Sequence, residues 1–189
     1  ESQSGQVSND LSILYKAATF GKVELRELPK VAGTTTYLSP SNVVLPPTAN
    51  LKHQWFFSTC LKGADDSPIG ATHVWMDVDH PDPGFDPTDI FPQPTIVVNS
   101  GHGFHVYWAL NEQVIPLVAI NLGKLAHVAF EGDKAVLEAN RIMRMPGSIN
   151  AKKGQTPVTC SVIIRNEDQS YDQDELEEYL VAAAVKPIW

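Results

Sequence analysis

Apolar and polar positions alternate with a period of two over residues 72–79, which predicts a strand ending in Asp77-Val78-Asp79. A second pair of strands is predicted over 95–99 and 104–110, joined by Ser100-Gly101-His102-Gly103, a hairpin signature. Upstream, Leu11, Leu14 and Ala18 fall on one stripe and predict a short amphipathic helix over 11–20. Residues 22–28 alternate as a strand, and 54–61 are apolar enough for either a strand or a buried helix. Between them, 29–54 are rich in Pro, Thr, Ser and Asn and predict a long loop, as do the Pro- and Asp-rich residues 80–94. A helix is predicted over 116–130, with Pro116 in its first turn. Another is predicted over 132–143, stopped by Pro146. Residues 158–164 read as a strand and 172–184 as an acidic-faced helix. Strands and helices alternate but hairpins interrupt them, so the expected class is α+β, a mixed sheet with helices packed on it.

A length of 189 residues, 43% of them hydrophobic and 19% charged, suits one globular domain. Residues 1–6 read as a tag remnant or frayed start, leaving 7–189 as the domain. No apolar run approaches the roughly 18 residues that span a bilayer, and no signal-peptide core opens the chain. A cytoplasmic location without a membrane partner is therefore expected. Cys60 and Cys160 make no Cys-x-x-Cys pair, so no structural zinc is expected and both read as free thiols. The net charge of -8 at first disfavours a nucleic-acid partner. Its distribution changes that: residues 63–123 hold eight acids and no Lys or Arg, while 141–153 hold four basic residues and no acid. An acidic stretch followed by a basic one suits a site for cations and then a triphosphate.

The period of two puts Asp77 and Asp79 on one strand face, with Val74, Met76 and Val78 on the other. Carboxylates about 7 Å apart repel unless cations lie between them, and hard oxygen donors suit Mg²⁺ or Mn²⁺. Such acids also end strands that merely run out into polar loops. In the hairpin, Gly101 and Gly103 let backbone approach a ligand, and Ser100 stands beside them. His105 and Tyr107 share one face of the following strand; Phe104, Val106 and Trp108 share the other. His102 also fits a plain surface turn. Asp133 opens the next segment, where an ordinary helix N-cap is the alternative role. Pro146-Gly147 then forces a sharp exit that would present Arg144, Asn150 and Lys152 on a loop, either solvated or gathered on phosphates.

Taken in order, Asp-x-Asp, Ser-Gly-x-Gly-x-His, a single Asp and Arg-x-Pro-Gly-x-x-Asn-x-Lys resemble the archaeo-eukaryotic primase superfamily, in its plasmid and phage RepB-type primase-polymerase branch. The resemblance runs from about residue 72 to 153. It implies an RRM-like sheet with packed helices plus a second αβ unit, forming the catalytic domain of a longer replication protein. It implies Asp77, Asp79 and Asp133 as catalytic ligands of two Mg²⁺ or Mn²⁺ ions. Ser100, Gly101, Gly103, His105, Arg144, Asn150 and Lys152 would then bind the nucleotide. The implied activity is primer synthesis or DNA extension in plasmid or phage replication. Its partners would be single-stranded DNA template, nucleoside triphosphates and a helicase domain or subunit, in a bacterial, archaeal or phage-infected cell. A sugar-nucleotide glycosyltransferase also uses Asp-x-Asp, and a non-catalytic origin-binding module is the alternative outside enzymes.

Overall fold

The computed structural model describes residues 7–29, 35–49, 52–133, 135, 137–151, 154 and 156–185. Five strands form the main antiparallel sheet in the order β11 (Ser161–Arg165), β6 (Ile96–Asn99), β7 (Gly103–Val114), β5 (Pro68–Asp79) and β4 (Leu61–Lys62). A second sheet orders β2 (Thr36–Leu38), β1 (Val23–Leu28), β3 (Gln54–Ser58) and β8 (Ile142–Arg144). A two-stranded ribbon joins β9 (Ile149–Asn150) to β10 (Val158–Thr159). Among the described residues two α-helices, α1 (Pro116–Phe130) and α2 (Gln173–Ala184), complete the fold.

Alternation along β5 and β7 splits the apolar residues into two cores. Val74, Met76, Val78, Val106 and Trp108 pack with Leu122 and Ala126 of α1 and with Leu176 and Leu180 of α2. On the opposite face Trp75, Tyr107 and Ala109 meet Val23, Leu25, Trp55, Phe57 and Met143 of the second sheet. The result is three layers: helices, main sheet, second sheet. Helix α1 approaches β5 closely because its buried face is small, with Ala119, Gly123 and Ala126 upon it. A Cβ on Gly123 would stand 3.4 Å from the Trp75 carbonyl oxygen and 2.8 Å from Leu137 Cδ2.

The class is α+β as expected, but every pairing of named strands is antiparallel, and among the described residues parallel pairing is confined to a single bridge from Leu110 to Tyr171. The helix expected over 11–20 shrinks to one 3₁₀ turn, Ser12–Tyr15, because Leu11, Ile13, Leu14 and Tyr15 are all buried and no single stripe faces the core. The loop expected over 29–54 includes β2, and 54–61 resolves as strand. The helix expected over 132–143 is overturned: its last residues belong to β8, and its other described residues hold no α-helix. Met143 and Met145 are buried with a period of two, and β3 supplies the strand partner that settles the matter. The strand expected over 158–164 breaks at Cys160, whose N–H donates to the Ser148 carbonyl at 2.9 Å. No described helix is long and apolar enough to cross a membrane.

His73 lies wholly buried on β5, within 5.0 Å of the Tyr15 ring centroid and 5.7 Å of that of Tyr107. Burial pushes its imidazole down to about 3, against a weaker opposing pull from the Leu14 backbone. In the unfolded chain the same ring titrates near 6.5, so acid loads protons onto the unfolded state. The neutral ring's contribution is fully present above pH 6.5 and is lost as pH falls toward 3. We expect denaturant titrations from pH 6.5 down to 4.5 to lose about 1.4 kcal/mol per pH unit from this residue. His73→Phe should remove that part of the slope, and an unchanged slope in the variant would contradict the assignment.

Candidate active site

The register of β5 against β7 sets Asp77 opposite His105 and Asp79 opposite Gly103. Both Asp77 and His105 therefore point away from the helices, toward the second sheet. Their side chains are nearly covered, and His105 Nε2 lies 3.8 Å from Asp77 Oδ1, an electrostatic contact beyond hydrogen-bond range. Asp79, at the strand end, is exposed. The pair is thus graded: one carboxylate sits in the wall and the other at the rim.

Arg144 enters from β8. Its guanidinium lies 4.6 Å from the Phe56 ring centroid and donates to Gln54 Oε1 at 2.7 Å and to the Ile149 carbonyl at 3.4 Å. Partial burial lowers its pKa from the ordinary value, with Cys160 and Asp77 pulling the other way. An arginine so shifted still carries its charge at neutral pH. Asn150, on β9, donates from Nδ2 to the Ser100 carbonyl at 2.6 Å and pins the hairpin turn. Ser100 Oγ donates to the Gly103 carbonyl at 3.1 Å, closing the same turn.

These elements enclose a cavity of about 170 Å³, lined by Phe56, Asp77, Asp79, Ser100, His105, Arg141, Ile142, Met143, Arg144 and Asn150. Six of the ten residues singled out in the sequence line it: Asp77, Asp79, Ser100, His105, Arg144 and Asn150. Gly101 and Gly103 do not, because packing within the chain uses their missing side chains. Gly101 is left-handed at φ +94°, with Val158 Cβ 2.8 Å from where its own Cβ would stand. A Cβ on Gly103 would stand 2.1 Å from the Val78 carbonyl oxygen. The expected basic loop is also different in kind: Arg144 and Asn150 sit on strands, and Met145, Pro146 and Ser148 are buried. Lys152 lies outside the described residues.

Asp133 is near the site without lining the cavity. Its N–H donates to the Asp77 carbonyl at 2.7 Å, and its Oδ1 accepts from the Ala135 N–H at 2.9 Å. That second bond is the one an N-cap makes, and Ala135 itself stands in a 3₁₀ turn. Among the described residues no three His, Cys, Asp or Glu side chains gather closely enough to hold a metal ion alone. Cys60 and Cys160 are free and buried, and desolvation pushes both thiols up to about 11.

The sequence reading missed Arg141 and Phe56. Recognising 142–145 as an alternating strand against 54–58 would have brought both to the cavity. A larger hollow of about 630 Å³ lies beside the Ser12–Tyr15 turn, but its Arg165 is engaged by Glu167 and the Asp10 carbonyl. It has no carboxylate pair on a rigid strand, so the smaller cavity is the candidate site.

No known protein-family profile matches the chain. A replication protein of Clostridium perfringens is 33% identical over 93 residues, 46% of this chain and 21% of that protein. The chain thus spans about a fifth of the length of the curated relative it matches. Among solved structures, the AEP domain of the cyanophage S-2L primase-polymerase aligns at a TM-score of 0.66 and 17% identity, covering 90% of this chain and 94% of that one. The primase RepB′ aligns at 0.59 and 15%, covering 83% and 55%. Its catalytic domain in complex with initiator DNA aligns at 0.56 and 15%, covering 83% and 82%. The chain has the archaeo-eukaryotic primase fold.

Proposed function

We propose that this chain performs template-directed nucleotidyl transfer on single-stranded DNA, as primer synthesis or extension, in plasmid or phage replication. One observation carries the reading: on a primase-polymerase fold, an aspartate pair at a strand end shares one cavity with His105 and Arg144. Two carboxylates fixed by one strand are hard oxygen donors of the kind Mg²⁺ and Mn²⁺ take, so the residues present fit such ions. Asp77 and Asp79 would hold them, with a triphosphate supplying further oxygens. When bound, the ions would make the primer 3′-hydroxyl a better nucleophile and neutralise charge on the departing pyrophosphate.

Every other task falls to the chain. A volume of about 170 Å³ is below the roughly 300–1,000 Å³ of whole-ligand pockets, so the cavity suits the phosphates. The nucleoside would extend past its rim. His105 and Arg144 would hold phosphate oxygens in line for attack, and Ser100 would close the hairpin side. Because Arg144 is already oriented by Gln54 and Phe56, little side-chain freedom remains to be lost on binding. Arg144→Ala is expected to weaken nucleotide binding by about 1.5–3 kcal/mol, the worth of a charge-assisted contact. Single-strand affinity should barely move. Titration with labelled nucleotide and labelled oligonucleotide separates the two, and the reverse pattern would reassign Arg144 to the template. Lys152 would add a further cation, and a helicase domain or subunit would expose the template.

Asp133 is proposed as the third carboxylate. Turning toward an ion would release the Ala135 N–H, a cost of about 1 kcal/mol that a coordination bond exceeds. Asp133→Asn preserves the cap but not the charge. It should therefore keep the melting temperature and lose most incorporation; full activity would leave Asp133 as a clasp on Asp77 alone. The activity itself is tested by extension of a primed single-stranded DNA with deoxynucleotides or ribonucleotides in Mg²⁺ or Mn²⁺. No extension in any combination would contradict it.

A further inference from the structure

We infer that the face formed by the loop after β5 and the C-terminal end of α1 docks a partner polypeptide, taking an apolar anchor side chain flanked by Lys or Arg. A hollow of about 310 Å³ lies there, with apolar walls from Phe85, Ile90, Ala129 and Phe130. That is the small end of ligand pockets, room for an anchoring side chain. Phe91 follows Ile90 out of this wall. It is 60% exposed, although Ile90 and Pro92 on either side of it are buried. Its ring stands 5.3 Å from that of Tyr179, edge to face, and carries the apolar surface on toward α2. Single exposed apolar side chains are ordinary, but an aromatic ring beside an apolar hollow is a patch that a partner can cover.

The loop holds this ring out because its backbone is tied down. Trp108 Nε1 donates to the Pro92 carbonyl at 2.8 Å, and the Tyr171 hydroxyl donates to the Gln93 carbonyl at 2.7 Å. An anchored backbone has little freedom left to lose, so a partner meets a preorganised ring. Charge decides what the partner is. Asp86, Asp89 and Glu131 line the hollow, and no Lys or Arg does. Residues 63–123 carry no Lys or Arg at all, and α2 adds Asp174, Glu175, Glu177 and Glu178 without one. Lys124 is the one such cation on either helix, and its Nζ reaches back to Asn121 Oδ1 at 3.2 Å. A phosphate backbone would be repelled here. A second copy of the chain would bring the same acids to the same face. A basic, apolar peptide segment is complementary to both the ring and the acids. The face is separate from the chemistry: the hollow lies on the helix side of β5 and β7 and shares no lining residue with the Asp77 cavity.

Selection of random displayed peptides on the whole chain tests the docking face, with the enriched peptides resynthesised and labelled for titration. The expected peptides carry an aromatic or large aliphatic residue among Lys or Arg. Phe91→Ala should bind them roughly ten- to hundredfold more weakly, the range of an interface hot spot. Asp89→Lys should slow their association about tenfold at low salt. Both positions are exposed, so melting temperatures should hold. If Phe91→Ala melts early, Asp89→Lys carries the comparison. Neither residue lines the Asp77 cavity, so primer extension by the chain alone should be unchanged in both variants. No enriched peptide, enriched peptides without Lys or Arg, or peptides that bind both variants like the parent would overturn the inference. Loss of a labelled single-stranded oligonucleotide in Phe91→Ala would overturn it and give the face to nucleic acid. A dimer in sedimentation that Phe91→Ala dissolves would overturn it and give the face to a second copy. No reaction enters the peptide titration, so a chain that binds these peptides yet extends no primer would sink the proposed reaction and leave this inference standing.

Discussion

Asp77→Asn is expected to reduce nucleotide incorporation by roughly a hundred- to a thousandfold, the scale for deleting one preorganised electrostatic contact in an active site. The structure makes asparagine the informative substitution. Asp77 is 8% exposed and lies beside His105, so alanine would open a hole in the wall as well as removing the charge. Asparagine keeps the volume and removes only the charge. Asp79→Asn, at the exposed rim, should lose incorporation on a similar scale with no change in stability. Single-turnover incorporation rates beside thermal melts check both. If both variants worked within about threefold of the parent, positioning and charge neutralisation by these acids would not be the source of catalysis.

Gly103→Ala is expected to destabilise the fold by about 3 kcal/mol, near the top of the range for overpacking. The added Cβ would stand 2.1 Å from the Val78 carbonyl oxygen and 3.1 Å from Asp79 Cα. Both neighbours are backbone, so no side chain can swing aside. The strands must part where Asp79 faces Gly103, and His105 two residues on must move with them. Gly84→Ala provides the control, because nothing lies within 4 Å of its added Cβ. It should stay within about 0.5 kcal/mol of the parent. Urea midpoints measure both, and a neutral Gly103→Ala would show that the hairpin can widen without cost.

Much of the arrangement was legible in the chain because period two is a strong signal where one strand faces two different layers. The division of Val74, Met76 and Val78 from Asp77 and Asp79, and of Val106 and Trp108 from His105 and Tyr107, is the division the two cores show. What sequence pattern could not supply was the covering layer. The pattern put Asp77 and Asp79 on one strand face without showing what covers it; the second sheet lies over that face and leaves Asp77 buried. Residues 132–143 were read as helix because local propensity there has no competitor until β3 pairs with β8, and β3 lies more than eighty positions upstream. The same long-range pairing brings Arg141 and Phe56 to the cavity. Gly101 and Gly103 were read as making room for a ligand; Val158 and the Val78 carbonyl take that room instead.

Incorporation of single nucleotides on homopolymeric templates tests the central claim most directly. Primers annealed to four templates, each offering one base, are incubated with each nucleotide separately in Mg²⁺ or Mn²⁺. The account predicts extension only by the nucleotide complementary to the template, in the parent chain and not in Asp77→Asn or Asp79→Asn. Extension that ignores the template base, or that persists at the parent rate in both variants, would contradict it.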